Sequence, residues 1–257
     1  MERISIRRDL LLFLKRPDYE TIQDFTVKSK FLILFKIFIL TYLGLMIVLI
    51  PLIILQKLEI IGEVAQKNIL LYEIIKRDYV NYRPYFLISM ILIEPILAEY
   101  SYRLSLSNFN AKFLTISISL FIGNYLGAYL SKFILLQYSY FASLLTYYIS
   151  IIIVSGFFYL ILRTEFIKSY LSRIKTVWNT NPGLIFYLIT GIFAIMHIFN
   201  LEIRANDLIF IPLILLPFVI YGLSFGYLRV RLGIKYSIIL HVMINVLIFG
   251  LGDLIKH

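Results

Sequence analysis

Residues 85–103 read YFLISMILIEPILAEYSYR, an apolar run that ends in charged side chains. The charges belong to Glu94, Glu99 and Arg103. A helix needs about 20 apolar residues to cross the hydrocarbon of a bilayer. Because a charge inside that layer is costly, an ionisable residue there is a functional hypothesis by default. The stretch therefore predicts a transmembrane helix that carries part of a functional site.

The whole chain has the composition of a membrane protein. Of its 257 residues, 60% are hydrophobic and 16% are charged, whereas a soluble domain is about half apolar and about 25% charged. No long polar stretch remains for a second fold. We therefore expect a basic, cytoplasmic N-terminal segment, residues 1–29, followed by one helical membrane domain, residues 30–257. The absence of cysteine excludes disulfides, thiolate metal sites and cysteine nucleophiles.

The apolar segments predict an all-α polytopic transmembrane helix bundle with seven spans, or eight if two have been merged or one missed. The expected spans are residues 31–55, 85–105, 113–136, 139–162, 182–200, 207–229 and 236–255. Residues 56–80 have apolar side chains at helical spacing with charges between them. They are expected to lie on the membrane, or to pack on the bundle, rather than to cross it.

The net charge of +10 comes from basic residues that cluster between the apolar runs. In that position they set the topology and meet anionic headgroups, so the lipid bilayer, and not nucleic acid, is the expected partner. Their distribution places the N-terminus in the cytoplasm. The Ile-, Lys- and Tyr-rich composition is typical of A+T-rich bacterial genomes, which suggests a bacterial cytoplasmic membrane.

Candidate side chains at a spacing of four residues occur in three of the apolar segments, as two polar pairs and one aromatic–histidine pair. Glu99 precedes Arg103 by four residues, and His241 precedes Asn245 by four. His197 follows an aromatic residue at the same spacing. On a helix this spacing places both members of a pair on one face, where Glu99 and Arg103 can form an ion pair. Each pair alone is compatible with simple packing, but three of them in separate spans predict a shared catalytic site.

These residue types suit amide hydrolysis. A carboxylate can take a proton from water, and an imidazole can bind a metal or polarise the scissile carbonyl. The amide of Asn245 can donate to an oxyanion. His197 and His241 with Glu99 also form a plausible zinc site, with an open position for water. The sequence leaves the choice between zinc and a metal-free site open.

The three motifs resemble those of the CAAX-protease and bacteriocin-processing (CPBP or Abi) family of intramembrane endopeptidases. That family has E-E-x-x-x-R, then F-x-x-x-H, then H-x-x-x-N or H-x-x-x-D, on separate transmembrane helices. Residues 98–103, 193–197 and 241–245 align with these motifs in order, and the resemblance extends over residues 85–250. It implies cleavage of a peptide or membrane-associated protein substrate, in the manner of a metalloprotease or of a glutamate-activated water.

The resemblance also implies a role for each motif residue. Glu99 would position a histidine or a water, and Arg103 would hold the rotamer of Glu99. His197 and His241 would bind the metal or polarise the carbonyl. Asn245 would stabilise the oxyanion.

Ala98 departs from the family pattern, because the family has its proposed water-activating glutamate at that position. Alanine has no proton acceptor, so the family mechanism cannot proceed through it. The chain is then an engineered inactive variant, a natural pseudoenzyme, or an enzyme in which Glu94 substitutes from about 6 Å away along the helix. An engineered variant is favoured because the other motif residues are all present.

Two alternatives to a protease are open. The chain could be a non-catalytic membrane protein, such as a scaffold or an immunity factor, or a small-molecule transporter, although transporters often show an internal repeat and none is found here. Residues 222–226 match G-x-S-x-G, but a nucleophile elbow needs a strand-turn-helix context. Within an apolar helix, Gly222 and Gly226 are instead expected to allow close helix packing.

Overall fold

The computed structural model describes residues 6–22, 25–62, 65–66, 84–137 and 140–251, and these are almost entirely helical. Two strands of two residues each, β1 (Ala65–Gln66) and β2 (Leu201–Glu202), pair antiparallel. They are the only strands in the described part of the chain. The all-α fold class is confirmed.

Longer helices form the bundle, and short irregular helices connect them. In chain order the longer ones are α1 (Ile6–Lys15), α2 (Val27–Lys57), α3 (Pro84–Tyr102), α4 (Ala111–Gln137), α5 (Tyr140–Leu162), α6 (Glu165–Thr180), α7 (Pro182–Met196), α8 (Ile211–Leu232) and α9 (Ile234–Asn245). A π-helical turn, Ser89–Ile93, lies inside α3, and a second, Val246–Leu251, continues α9. Two 3₁₀ turns, His197–Asn200 and Ala205–Phe210, flank β2 between α7 and α8.

Six helices among the described residues are long and apolar enough to cross a membrane, which indicates an integral membrane protein. They are Val27–Lys57, Pro84–Tyr102, Ala111–Ser131, Phe141–Leu162, Pro182–Phe199 and Ala205–Leu232. They correspond to the first six expected spans. The seventh expected span corresponds to a shorter apolar helix, Ile234–Phe249.

Residues 56–80 were expected to form an amphipathic helix. The described part of this segment is not one continuous helix. Helix α2 continues to Lys57, and the chain then turns and pairs residues 65–66 with β2. The backbone N–H and C=O groups of residues 65–66 therefore bond to β2 and not within a surface helix. Residues 67–80 lie outside the described residues.

Close packing of α8 against α7 depends on two glycines. A Cβ atom at Gly226 would lie 2.6 Å from the Phe186 ring, and one at Gly222 would lie 2.9 Å from the Thr190 side chain. Ser224, between them, lies inside the helix and accepts a 2.7 Å hydrogen bond from Thr41 of α2. The expected packing role of the G-x-S-x-G stretch is confirmed.

The N-terminal segment packs onto the end of α8 through a buried arginine. Arg231, 6% exposed, contacts Asp9 at 3.2 Å and Asp18 at 2.5 Å. The ring of Phe13 lies 4.8 Å below the same guanidinium and forms edge contacts with Tyr227 and with α7. This segment is therefore part of the bundle end.

Candidate active site

Glu99 and Arg103 form a buried ion pair where α3 ends. The Arg103 Nη1 atom lies 2.8 Å from the Glu99 Oε1 atom, and the two residues are 1% and 0% exposed. Their spacing of four residues brings them together within one helical turn, as the sequence predicted. Burial lowers the pKa of the Arg103 guanidinium, and the adjacent carboxylate opposes that shift. Each charge therefore makes the burial of the other tolerable.

Helix α9 supplies the other partners of Glu99. The Nδ1 atom of His241 lies 3.0 Å from Oε1, and the Ser237 hydroxyl donates to Oε2. Ser237 precedes His241 by four residues, so both side chains project from one face of α9. We call Glu99, Arg103, Ser237 and His241 the Glu99 cluster. An ionised carboxylate only accepts hydrogen bonds, so the His241 Nδ1 atom carries a hydrogen, and in the neutral ring the lone pair is on Nε2.

His197, at the end of α7, adopts the same tautomer by a different contact. Its Nδ1 atom lies 2.7 Å from the carbonyl oxygen of Phe193, one turn earlier. A carbonyl can only accept, so Nδ1 is the donor and Nε2 of the neutral ring has a free lone pair. Phe193, one turn before His197, contacts the ring of Phe225, on which His241 stacks. When both rings are neutral, the site therefore offers two Nε2 lone pairs that can accept a proton.

Aromatic rings hold both histidines and the arginine in place. His197 stacks on Phe218 with ring centres 4.1 Å apart, and His241 stacks on Phe225 at 4.5 Å. The Arg103 guanidinium carbon lies 4.1 Å from the centre of the Phe193 ring and 5.0 Å from that of Phe225. These contacts fix the planes of the imidazoles and support the buried cation.

Arg229 of α8 fixes the point at which α3 ends. Its Nε atom donates to the Arg103 carbonyl at 2.9 Å, and its Nη2 atom donates to the Leu104 carbonyl at 2.8 Å. Carbonyls at a helix C-terminus have no partner within the helix, so an arginine there satisfies them. As a basic residue between two apolar runs, Arg229 was expected only to set membrane topology, and Ser237 was not among the candidate residues. The position of Ser237 four residues before a candidate histidine was the available signal.

Asn245 bonds the π-helical turn of α3. Its amide donates to the Met90 carbonyl at 2.7 Å. In that turn the Glu94 N–H bonds to the Ser89 carbonyl, five residues back, and the next such donor would be Pro95, which has no N–H. The Asn245 side chain therefore supplies the donor that proline lacks. The oxyanion role expected for Asn245 stays a prediction.

Ala98 and Glu94, one helical turn apart, have different surroundings. Ala98 is partly buried and packs against the main apolar core. The Glu94 carboxylate accepts a 3.1 Å hydrogen bond from Tyr147 of α5, whose hydroxyl also contacts Asn124 of α4. Glu94 is thus held by the α4–α5 pair, which does not favour it as a substitute for a carboxylate at position 98.

The zinc site expected at His197, His241 and Glu99 stays a prediction. Within the described residues, no group of three or more His, Asp or Glu side chains is arranged to hold a metal. Both Glu99 oxygens are occupied by hydrogen-bond donors from Arg103, Ser237 and His241. Only the Nε2 atoms of His197 and His241 are left, whereas catalytic zinc sites have about three protein ligands.

Comparisons with known proteins identify no family for this chain. No family model matches it, and neither a curated protein nor a solved structure is significantly similar. The resemblance to the CAAX-protease family depends on the motif residues alone.

Proposed function

We propose that the chain has the site of an intramembrane endopeptidase of the CAAX-protease type, inactive in this form because Ala98 occupies the position of the water-activating glutamate. The observation that carries the proposal is the Glu99–His241 contact. A buried carboxylate there orients an imidazole whose Nε2 atom is free, which is the arrangement of a carboxylate-oriented catalytic histidine.

The resemblance to the CAAX-protease family implies that the substrate is a peptide or a membrane-associated protein. In this proposal α9 is a seventh, shorter span, and the N-terminus lies in the cytoplasm of a bacterial cell. The basic residues that follow α3, α5 and α8 are then on the cytoplasmic side, in agreement with the positive-inside rule.

The residues divide the chemistry between them. His197 and His241 polarise the scissile carbonyl by donating hydrogen bonds from Nε2 when the rings are protonated there. Glu99 holds the tautomer of His241, and Arg103 keeps Glu99 ionised. The second hydrogen of the Asn245 amide is available for an oxyanion. What this chain lacks is the acceptor that removes a proton from water, a contribution of about 10²–10⁴-fold to the rate.

Restoring the carboxylate tests the proposal. We expect Ala98→Glu to raise cleavage of membrane-inserted fluorogenic peptides in proteoliposomes by about 100-fold or more over the unchanged chain. The matched control is Ala98→Gln, which has the same size but no base and should show no gain. Adding His241→Gln to Ala98→Glu should abolish the gain. A folded Ala98→Glu protein that cleaves no peptide in a broad library would contradict the proposal.

The same protein separates a metal-free from a metal-dependent reaction. We expect the activity of Ala98→Glu to persist after chelation, without stoichiometric zinc in the purified protein. Stoichiometric zinc, with loss of activity on its removal, would restore the zinc prediction for His197 and His241.

A non-catalytic membrane protein of the same fold is the second candidate. It is favoured by the hydrogen bonds that the polar groups make with one another, since each Glu99 oxygen accepts at least one and Asn245 bonds the backbone. The codon at position 98 in the source gene distinguishes the two. An alanine codon indicates a pseudoenzyme, and a glutamate codon indicates an engineered variant of an enzyme.

A further inference from the structure

A cavity of about 260 Å³ lies where α4 begins and α5 ends, against α6. None of its lining residues belongs to the Glu99 cluster. Its lining combines apolar with basic and hydroxyl side chains: Ala111, Lys112, Thr115, Tyr159, Leu162, Arg163 and Leu171. It is therefore a separate candidate binding site.

The polar lining suits an anion. Lys112 and Arg163 are positively charged, Thr115 and Tyr159 bring hydroxyl donors, and no carboxylate is among the lining residues. Lys112 is in the first turn of α4, where the helix dipole adds positive potential. These features together favour a phosphate or a similar oxyanion.

Thr115 is the most buried of the polar residues that line the cavity, at 4% exposed. Its side chain belongs to the cavity wall, where its hydroxyl can donate to a bound oxyanion.

The position of the cavity indicates that the anion belongs to a lipid. Just before Arg163, the side chains of Leu160 and Ile161 are 69% and 38% exposed on a membrane-spanning helix, so the hydrocarbon begins one turn away. The cavity lies at the same end of the bundle as the N-terminal segment. The start of α4 follows the end of α3, and Arg229 of α8 contacts that end. The N-terminal segment binds α8 through Arg231. That segment adds exposed basic side chains to the same end of the bundle: Arg7, Arg8 and Lys15.

We propose that this cavity binds the phosphate of an anionic phospholipid. Lys112 and Arg163 contact the phosphate, Thr115 and Tyr159 donate hydrogen bonds to it, and the acyl chains follow the exposed apolar face of α5. Basic pockets between transmembrane helices commonly bind such headgroups. The proposal does not depend on the proposed peptidase function.

Lipid titration of the full chain in a nonionic detergent tests the proposal, with native mass spectrometry as the measurement. The probes are phosphatidylglycerol, phosphatidylcholine and inorganic phosphate. At about 1 kcal/mol per basic residue near the phosphate, Lys112→Gln/Arg163→Gln should weaken phosphatidylglycerol binding about 30-fold. The control Lys57→Gln/Arg204→Gln removes two exposed charges at the opposite end of the bundle and should bind like the unchanged chain.

Thr115→Val keeps the shape and charge of the cavity, so it tests the site even if the double variant folds poorly. It should weaken phosphatidylglycerol binding several-fold without lowering the unfolding temperature. Three results would each overturn the proposal. They are equal binding of phosphatidylcholine, equal occupancy by inorganic phosphate, and phosphatidylglycerol affinities of both cavity variants within twofold of the control.

Discussion

Replacing Arg103 by methionine should leave the buried Glu99 carboxylate without its cationic partner. The change removes the 2.8 Å contact with Oε1 from a carboxylate that is 0% exposed, while the Ser237 and His241 contacts stay. Removing one partner of a buried ion pair costs about 3–5 kcal/mol. Because two donors stay, we expect the lower end of that range, a loss of about 3 kcal/mol in the free energy of unfolding.

A double-mutant cycle isolates the pair from the rest of the packing. Glu99→Gln alone should also cost about 3 kcal/mol, because it leaves the Arg103 cation unpaired among aromatic rings. The double variant, Glu99→Gln with Arg103→Met, has no stranded charge. We expect it to be less destabilised than the sum of the single changes by about 3 kcal/mol, the upper end of couplings measured between residues in contact.

Equilibrium unfolding in mixed detergent micelles, followed by the fluorescence of Trp178, provides these free energies. Arg8→Met is the matched control, since it removes an exposed arginine and should change stability by less than about 0.5 kcal/mol. Additive effects of the two substitutions would refute the reasoning. So would a loss below about 1 kcal/mol for Arg103→Met, since the carboxylate would then have another source of compensation.

Two further predictions concern the packing of α8. Gly226→Ala should destabilise the protein by about 1–3 kcal/mol, since its Cβ would lie 2.6 Å from the Phe186 ring. The control is Gly156→Ala, whose Cβ would meet no neighbouring atom within 4 Å, and it should be neutral or stabilising. Equal shifts in the unfolding temperature for both variants would contradict the close contact. Arg231→Met should release the N-terminal segment, because Asp9 loses its cation. Limited trypsin digestion should then cleave that segment several-fold faster, and an unchanged rate would show that apolar contacts alone hold it.

Features set by neighbouring residues were predictable from the sequence. The six long spans follow from the length and hydropathy of single segments. The Glu99–Arg103 pair follows from helical spacing. The close approach allowed by Gly222 and Gly226 follows from the absence of side chains within an apolar helix. Each of these depends on one segment and not on which helix lies beside it.

Features that depend on helix neighbours were not predictable. That Ser237 contacts Glu99, or that Phe218 stacks on His197, requires the order and rotation of helices far apart in the chain. The ion pair of Arg231 with Asp18 was not predicted for another reason. A basic residue after a membrane span is already expected from the positive-inside rule, so nothing in the sequence indicated a second role. The pairing of β1 with β2 joins two-residue segments, which are too short to have a periodic pattern.

The π-helical turn Ser89–Ile93 has a consequence for aligning this chain with others. A π turn holds one residue more than the α-helical ladder on either side needs, so it accommodates a single insertion. If a related chain lacks that extra residue, the residues before Ser89 are offset by one position in the sequence. Ala98 and Glu99, which follow the turn, keep the same orientation on the helix. A one-residue gap placed in this turn leaves the candidate site aligned, whereas a gap between Glu94 and Arg103 would move it to another face of the helix.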